Sequence, residues 1–199
     1  MHKNNFRNTL KKILNTREPY RLQGSGRRES AVLIPLYENS GEYYLIFTKR
    51  SSRVKYHQGH VSFPGGVVDK KDRSPEETAG REAFEEIGVL KEHVEILGPI
   101  DDSLTFVPPF AIHPFVGLVP YPYSFKLNPN EVEKIIEVPL KFFLPYADPS
   151  NDWAGINYKK DIEFPTFHYR GETIWGTTAA ITANFIGILS SNNVIYESI

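Results

Sequence analysis

Residues 66–89 read GVVDKKDRSPEETAGREAFEEIGV, and the punctuation of this stretch decides how the chain folds around it. Ser74 is a candidate N-cap, Pro75 suits the first helical position, and Glu77 stands where it completes a capping box with Ser74. Gly88 follows Ile87 and can take the left-handed conformation that stops a helix. The spacing predicts a helix over 75–87, preceded by a turn at Pro64-Gly65-Gly66. At about 100° per residue, Glu82, Glu85 and Glu86 share one sector of that helix, and Ala83, Phe84 and Ile87 point to the other side.

Three acids at this spacing repel one another by about 0.2–0.5 kcal/mol per pair, which a solvated face tolerates. Their place near the C-terminal end of the helix is less easily explained, because the macrodipole disfavours negative charge there. A bound divalent cation removes the conflict. Carboxylate oxygens suit Mg²⁺ or Mn²⁺, and Mg²⁺ shares its shell with waters and substrate phosphates. With no cysteine and no HExxH pattern, zinc is less suited.

Outward from this helix, a helix is predicted near 4–15, a loop through Gly24-Ser25-Gly26, and strands near 30–37 and 42–49 joined at Ser40-Gly41. Further strands are expected near 94–101, 111–119 and 131–137. Pro99, Pro108, Pro109, Pro114, Pro120 and Pro122 suggest that these are short or lie at sheet edges. A short helix over 140–145 follows, then a hairpin of 162–169 and 172–175 through Arg170-Gly171, and a largely buried closing helix over 177–190. Strands mixed with helices without regular βαβ alternation predict an α+β fold.

The chain has 199 residues, enough for one domain with a terminal appendage. Zero cysteines exclude disulfides and thiol nucleophiles and fit a reducing, cytoplasmic setting. No run of about 18 apolar residues indicates a membrane span, and no signal peptide is evident. The net charge of −1 argues against wholesale nucleic-acid binding. Residues 1–28, however, carry eight Lys/Arg against one acid, and the remainder 15 against 23. Residues 1–28 read as a basic helix and linker whose apolar stripe (Phe6, Leu10, Ile13, Leu14) packs on a domain of residues 29–199. An arm for phosphates or anionic membranes and a targeting peptide are the alternatives.

Residues 66–89 resemble the Nudix box, and Arg81-Glu82-Ala83-Phe84-Glu85-Glu86-Ile87-Gly88-Val89 fits the pattern at every specified position. Upstream there is a departure: Asp72 stands six residues after Gly66 where the pattern has Glu, and Arg81 stands fifteen after it, one later than usual. A longer loop of this kind is similar to the coenzyme A pyrophosphatase branch. So is the spacing of Thr48-Lys49-Arg50-Ser51, Lys55, Gly59 and Phe63-Pro64-Gly65-Gly66, with Lys55 where the branch has Arg. Lys keeps the charge but loses the bidentate fork. His113-Pro114-Phe115-Val116, Val138-Pro139-Leu140 and Ile174-Trp175-Gly176-Thr177-Thr178-Ala179 extend the resemblance over residues 29–190.

The resemblance implies a mixed sheet sandwiched between helices, with Glu82, Glu85 and Glu86 binding Mg²⁺ or Mn²⁺. It implies hydrolysis of the diphosphate bond of coenzyme A or a derivative to 3′,5′-ADP and a 4′-phosphopantetheine. Arg81 is expected to orient a box glutamate such as Glu85, and Gly65 and Gly66 to let backbone approach the metal. Glu131 occupies the place of a general base beyond the box, with Glu133, Glu137 and Glu82 as competitors. Arg50, Lys55 and His57 form a basic cluster able to hold phosphates; for His57 and His60 a hydrogen-bonded loop histidine is the plainer reading. Trp175 reads as core packing rather than adenine stacking, while Phe106 and Tyr121 are candidate pocket residues. The partner expected is a small nucleotide diphosphate, with neither nucleic acid nor membrane, and a homodimer is left open. ADP-ribose, dinucleotides and nucleoside triphosphates are rival substrates. A non-catalytic nucleotide sensor and a nucleic-acid module using the basic arm are rival functions.

Overall fold

A computed structural model describes residues 3–22, 26–105, 109–147 and 165–194, with side chains from Phe6 onward. The first helix, α1, spans Lys3–Thr16. Strands β1 (Arg28–Asn39) and β2 (Glu42–Arg50) form a hairpin closed by Ser40 and Gly41, both at positive φ, which matches the twist of antiparallel strands. The expected Gly24–Gly26 loop falls mostly outside the described residues.

The apparent turn after β2 contains two short strands, β3 (Val61–Ser62) and β4 (Gly65–Val67). They are too short to show a period. The helix α2 (Pro75–Ile87) follows, then β5 (Glu95–Pro99), β6 (Ser103–Leu104), β7 (Phe110–Leu118) and β8 (Val132–Pro139). These eight strands make one mixed sheet, in which β1 and β7 are parallel and the other pairs antiparallel. The segment expected as a short helix near 140–145 is a 3₁₀ helix over Leu140–Tyr146. The hairpin β9 (Phe167–Tyr169) and β10 (Glu172–Ile174) turns at Arg170-Gly171, and α3 spans Gly176–Ser191. The start of the expected first hairpin strand, 162–164, lies outside the described residues.

The period of two along β1 assigns the layers. Ala31 and Leu33 face α2, packing with Ala79, Ala83 and Phe115. Ile34 and Leu36 face the other way, into a larger core with Phe6, Leu10 and Leu14 of α1 and Phe185 and Ile186 of α3. The result is a mixed sheet between helices, an α+β architecture. Among the described residues no helix is long and apolar enough to cross a membrane.

Two expectations are corrected. Phe84 does not join Ala83 and Ile87 in the core; it is 51% exposed, because α2 buries a narrow stripe of small residues. Proline does not confine β7 to an edge, since β7 lies between β1 and β5 with Pro114 inside it. Pro114 falls in the gap between the β5 and β6 ladders, where no antiparallel partner asks for its missing N–H, and its carbonyl accepts from Ile100 N–H.

The punctuation of α2 holds with one change. Ser74 accepts from Glu77 N–H, Pro75 opens the helix, and Gly88 closes it at φ 70°. The Glu77 carboxylate, however, accepts from Arg73 N–H (2.8 Å), one residue before the N-cap. Gly88 is doubly constrained: a Cβ there would sit 2.8 Å from Lys126 Cβ as well as at positive φ. Gly88→Ala should therefore cost about 1–2 kcal/mol. Thermal denaturation should register a fall in Tm of roughly 3–8 °C, and an unchanged Tm would contradict the assigned helix stop.

Candidate active site

The acids on α2 are not equivalent. Glu85 is largely exposed, whereas Glu86 is only 3% exposed, so the picture of three surface carboxylates is wrong for Glu86. Glu86 lies one turn beyond Glu82 and beside β4, whose Gly65 N–H donates to it. Burial pushes its carboxyl up to about 8, against the pull of Arg50, and Glu82 and Glu131 add repulsion. Burial also raises Glu82, opposed by Arg81 and reinforced by Glu85 and Glu131. Two carboxylates held where negative charge is disfavoured are an incomplete electrostatic arrangement that a cation would complete.

Glycine is needed here for space. A Cβ on Gly66 would fall 2.4 Å from the Glu82 carboxylate, so the bare β4 backbone is what lets Glu82 lie against the sheet. Arg81 fixes the neighbouring acids. It donates to Glu82 (2.8 Å) and Glu85 (3.1 Å), as expected of an orienting residue. Its other edge forks onto Asp72 at 3.0 and 2.9 Å and reaches the Val67 carbonyl. Asp72 is the partner that sequence reasoning missed as a functional residue. It also accepts from Thr78 Oγ1 and Asp69 N–H, and the Arg81 guanidinium holds its carboxyl well below the usual carboxylate range. The signal was its place six residues after Gly66.

Glu131 reaches the site from another part of the chain. Ser51 N–H at the end of β2 donates to the Glu131 carbonyl (2.8 Å), and Asn128 N–H donates to the Glu86 carbonyl at the end of α2 (2.9 Å). These two bonds set the loop before β8 against both elements. Asn128 Nδ2 also donates to Glu131 Oε1 at 3.3 Å. Of the competitors, Glu82 lies in the site itself, whereas Glu133 is half-exposed near Lys49 and Glu137 lies against the Tyr37 hydroxyl.

The basic cluster divides. Arg50 is close enough to Glu86 to stabilise its charged form, and its Nε is buried without a hydrogen-bond partner. Lys55 is exposed, with its ammonium 5.3 Å from the Tyr56 ring. His57 is an exposed loop residue at positive φ, and His60 packs between it and Trp175. Trp175 is 49% exposed, which overturns its reading as a core residue. Tyr121 is half-exposed and stacks on Tyr37, and Phe106 lies outside the described residues.

Among the described residues no three Asp, Glu or His side chains already converge as a complete protein shell for a metal. The oxygen-only donors nevertheless fit a hard divalent cation of the kind that takes few protein ligands and fills its shell with water and phosphate oxygens. Glu82, Glu85 and Glu86 are the residues that would hold it.

The profile of the NUDIX domain matches residues 27–155. A protein of Photorhabdus laumondii described as an uncharacterized Nudix hydrolase, NudL, is 37% identical over 167 residues, covering 82% of this chain and 85% of its own. Its counterpart in Yersinia enterocolitica is 38% identical, covering 76% of each chain. Among solved structures, a NUDIX hydrolase of Alicyclobacillus acidocaldarius is 17% identical, covering 61% of this chain and 83% of its own, with a TM-score of 0.49.

The raised Glu86 carboxyl gives a pH signature. With its ordinary value at 4.5 and its folded value at about 8, the unfolded chain ionises first as pH rises. This contribution to stability is full below pH 4.5, falls between 4.5 and 8, and then levels off. Glu86→Gln should thus stabilise the metal-free protein at pH 8 by a few kcal/mol, roughly 5–10 °C in Tm, with little effect at pH 4. Turnover by the same variant should fall at least about a hundredfold. Equal melting of the two proteins at pH 8 would show that Glu86 is not a buried charge.

Proposed function

The chain belongs to the Nudix hydrolase family and is a pyrophosphohydrolase; we propose that the diphosphate it cleaves is that of coenzyme A or a derivative, giving 3′,5′-ADP and a 4′-phosphopantetheine. The observation that carries the site assignment is that backbone bonds from Ser51 N–H to Glu131 and from Asn128 N–H to Glu86 join the separate loop bearing Glu131 both to β2 and to the acidic end of α2. The choice of substrate is supported by the longer box loop and by the basic residues between β2 and β3.

When bound, Mg²⁺ or Mn²⁺ supplies neutralisation of diphosphate oxygens and polarisation of an attacking water. Glu82, Glu85 and Glu86 would hold the cation, and Arg81 keeps Glu82 and Glu85 oriented through its anchor on Asp72. Gly65 and Gly66 leave room for this approach. Glu131 takes the proton from the water as general base. Arg50, the member of the basic cluster whose charge acts on Glu86, faces the diphosphate, and its Nε–H, without a partner, is a donor suited to a phosphoryl oxygen. Lys55 and His57, farther out and exposed, meet the 3′-phosphate that distinguishes coenzyme A from ADP-linked substrates. The basic cluster expected to hold phosphates is thereby divided between two phosphate positions.

Two kinetic results test the assignment. Glu131→Gln should lower kcat by about a hundredfold with KM and metal affinity nearly unchanged, the pattern of an interaction made in the transition state. The same pattern in Glu133→Gln would move the base there.

Substrate choice is read from matched assays on coenzyme A and its 3′-dephospho form, in which kcat/KM should favour the former by roughly ten- to a hundredfold. Lys55→Ala should shrink that ratio, whereas Arg50→Ala should slow both substrates alike. Preference for ADP-ribose, a dinucleotide or a nucleoside triphosphate in the same assays would retain the hydrolase and discard coenzyme A. Binding without turnover of any diphosphate would favour the sensor.

A further inference from the structure

We propose that Trp175 and His60 form the stacking platform for the nucleobase of the substrate, an inference that rests on the proposed hydrolysis of a nucleotide-linked diphosphate. Six large aromatic or apolar side chains are exposed among the described residues. Tyr121 already stacks on Tyr37, Tyr146 packs on Phe142 and Phe167, and the Tyr56 ring has the Lys55 ammonium near it. Tyr20 lies on the segment pinned by Asp101 and Asp102, and Phe84 points about 200° away from Glu82 and Glu86 around α2. Trp175 differs in being directed at the basic loop.

Its position is built rather than incidental. Trp175 directly follows β10, whose Glu172 is clamped between Lys49 (3.2 Å) and Lys134 (2.7 Å) on adjacent strands of the main sheet. Ile174 is fully buried, so the backbone entering Trp175 is fixed on one side by the core. The indole meets the His60 ring at 4.8 Å and 62°, an edge contact that leaves a ring face open, consistent with its half-exposure.

His60 joins this ring to the chemistry. Its carbonyl accepts from Arg50 N–H (2.9 Å), and the next residue, Ser51, is bonded to Glu131. The order Trp175, His60, Arg50, Glu131 thus runs through neighbouring backbone from an exposed aromatic ring, past a cation with an unused donor, to the proposed base. The proposed substrate has the same order of parts: a flat base, then the adenosine phosphate, then the scissile bond to the second phosphate. Burial lowers the His60 imidazole, and His57 and Arg50 lower it further, which favours its neutral form. Stacking on a π-face is tolerant of base identity. The platform would take a purine by shape and leave selection among nucleotides to the phosphate-binding cations.

The test uses the full chain in two ways. The sequence has two tryptophans, so Trp153→Phe leaves Trp175 as the sole tryptophan, excited selectively over tyrosine. Its fluorescence should be quenched saturably by 3′,5′-ADP and not by inorganic pyrophosphate, with a Trp153→Phe, Trp175→Phe protein as the absorbance blank. In steady-state assays Trp175→Ala should raise KM about 5- to 100-fold with a much smaller change in kcat, and Trp175→Phe should recover most of the loss. No quenching by 3′,5′-ADP, or an unchanged KM in Trp175→Ala, overturns the platform even where coenzyme A is hydrolysed normally. Quenching by 3′,5′-ADP in a protein that does not cleave coenzyme A retains the platform and overturns the substrate reading instead.

Discussion

A carboxylate taken out of water beside two others is the constraint around which this molecule is arranged. Glu86 is nearly inaccessible and has no arginine in salt-bridge contact; what opposes its desolvation is one backbone N–H from Gly65 and the field of Arg50. Such a group costs stability, and a fold retains it only where something else uses it. The surrounding features follow from keeping that acid in place. α2 lies on small residues so that it can approach the sheet closely. β4 has glycine where any Cβ would strike Glu82, and the loop before β8 is tied by backbone bonds to both α2 and β2.

Against that strained pair, Arg81 and Asp72 do the opposite work. Arg81 satisfies five acceptors at once, and Asp72 takes both arms of its fork as well as two further donors. The planar guanidinium is suited to this because its donors point in fixed directions. It aligns Glu82 and Glu85 without neutralising Glu86. The arrangement thus combines a rigid, fully bonded half with an electrostatically incomplete half, the division expected where a helix must position acids precisely enough for chemistry yet leave their charge available.

The basic N-terminal segment is resolved by contacts that the charge count alone could not reveal. Arg7 and Lys11 meet Glu95, Arg17 meets Asp101, and Arg21 meets Asp102, while Phe6, Leu10 and Leu14 enter the main core. Part of the excess of positive charge at one end of the sequence is thus paired with part of the negative excess of the rest. Asp101 and Asp102 also bond Asn184 and His113, so the short irregular stretch between β5 and β6 anchors the N-terminal segment, α3 and β7 together.

The sequence by itself determined what depends on neighbours along the chain. The extent of α2, its N-cap and its left-handed stop at Gly88 are local backbone chemistry. So is the β1–β2 hairpin, whose turn residues and flanking apolar runs lie within a few positions of each other. The stripe of α1 was equally legible, and the common sector of Glu82, Glu85 and Glu86 follows from helical geometry alone. Tertiary structure decided what depends on burial and on distant partners. It buried Glu86 and exposed Phe84 because the sheet meets α2 along a narrow line. It admitted Pro114 to an interior strand because two ladders part there, and it made Asp72 the anchor of Arg81 across a loop. It turned Trp175 outward toward His60, since an indole before a helix is read as core or surface only once the opposing loop is in place. Periodicity encodes which residues share a face, but desolvation and charge are set by what the rest of the chain lays upon that face.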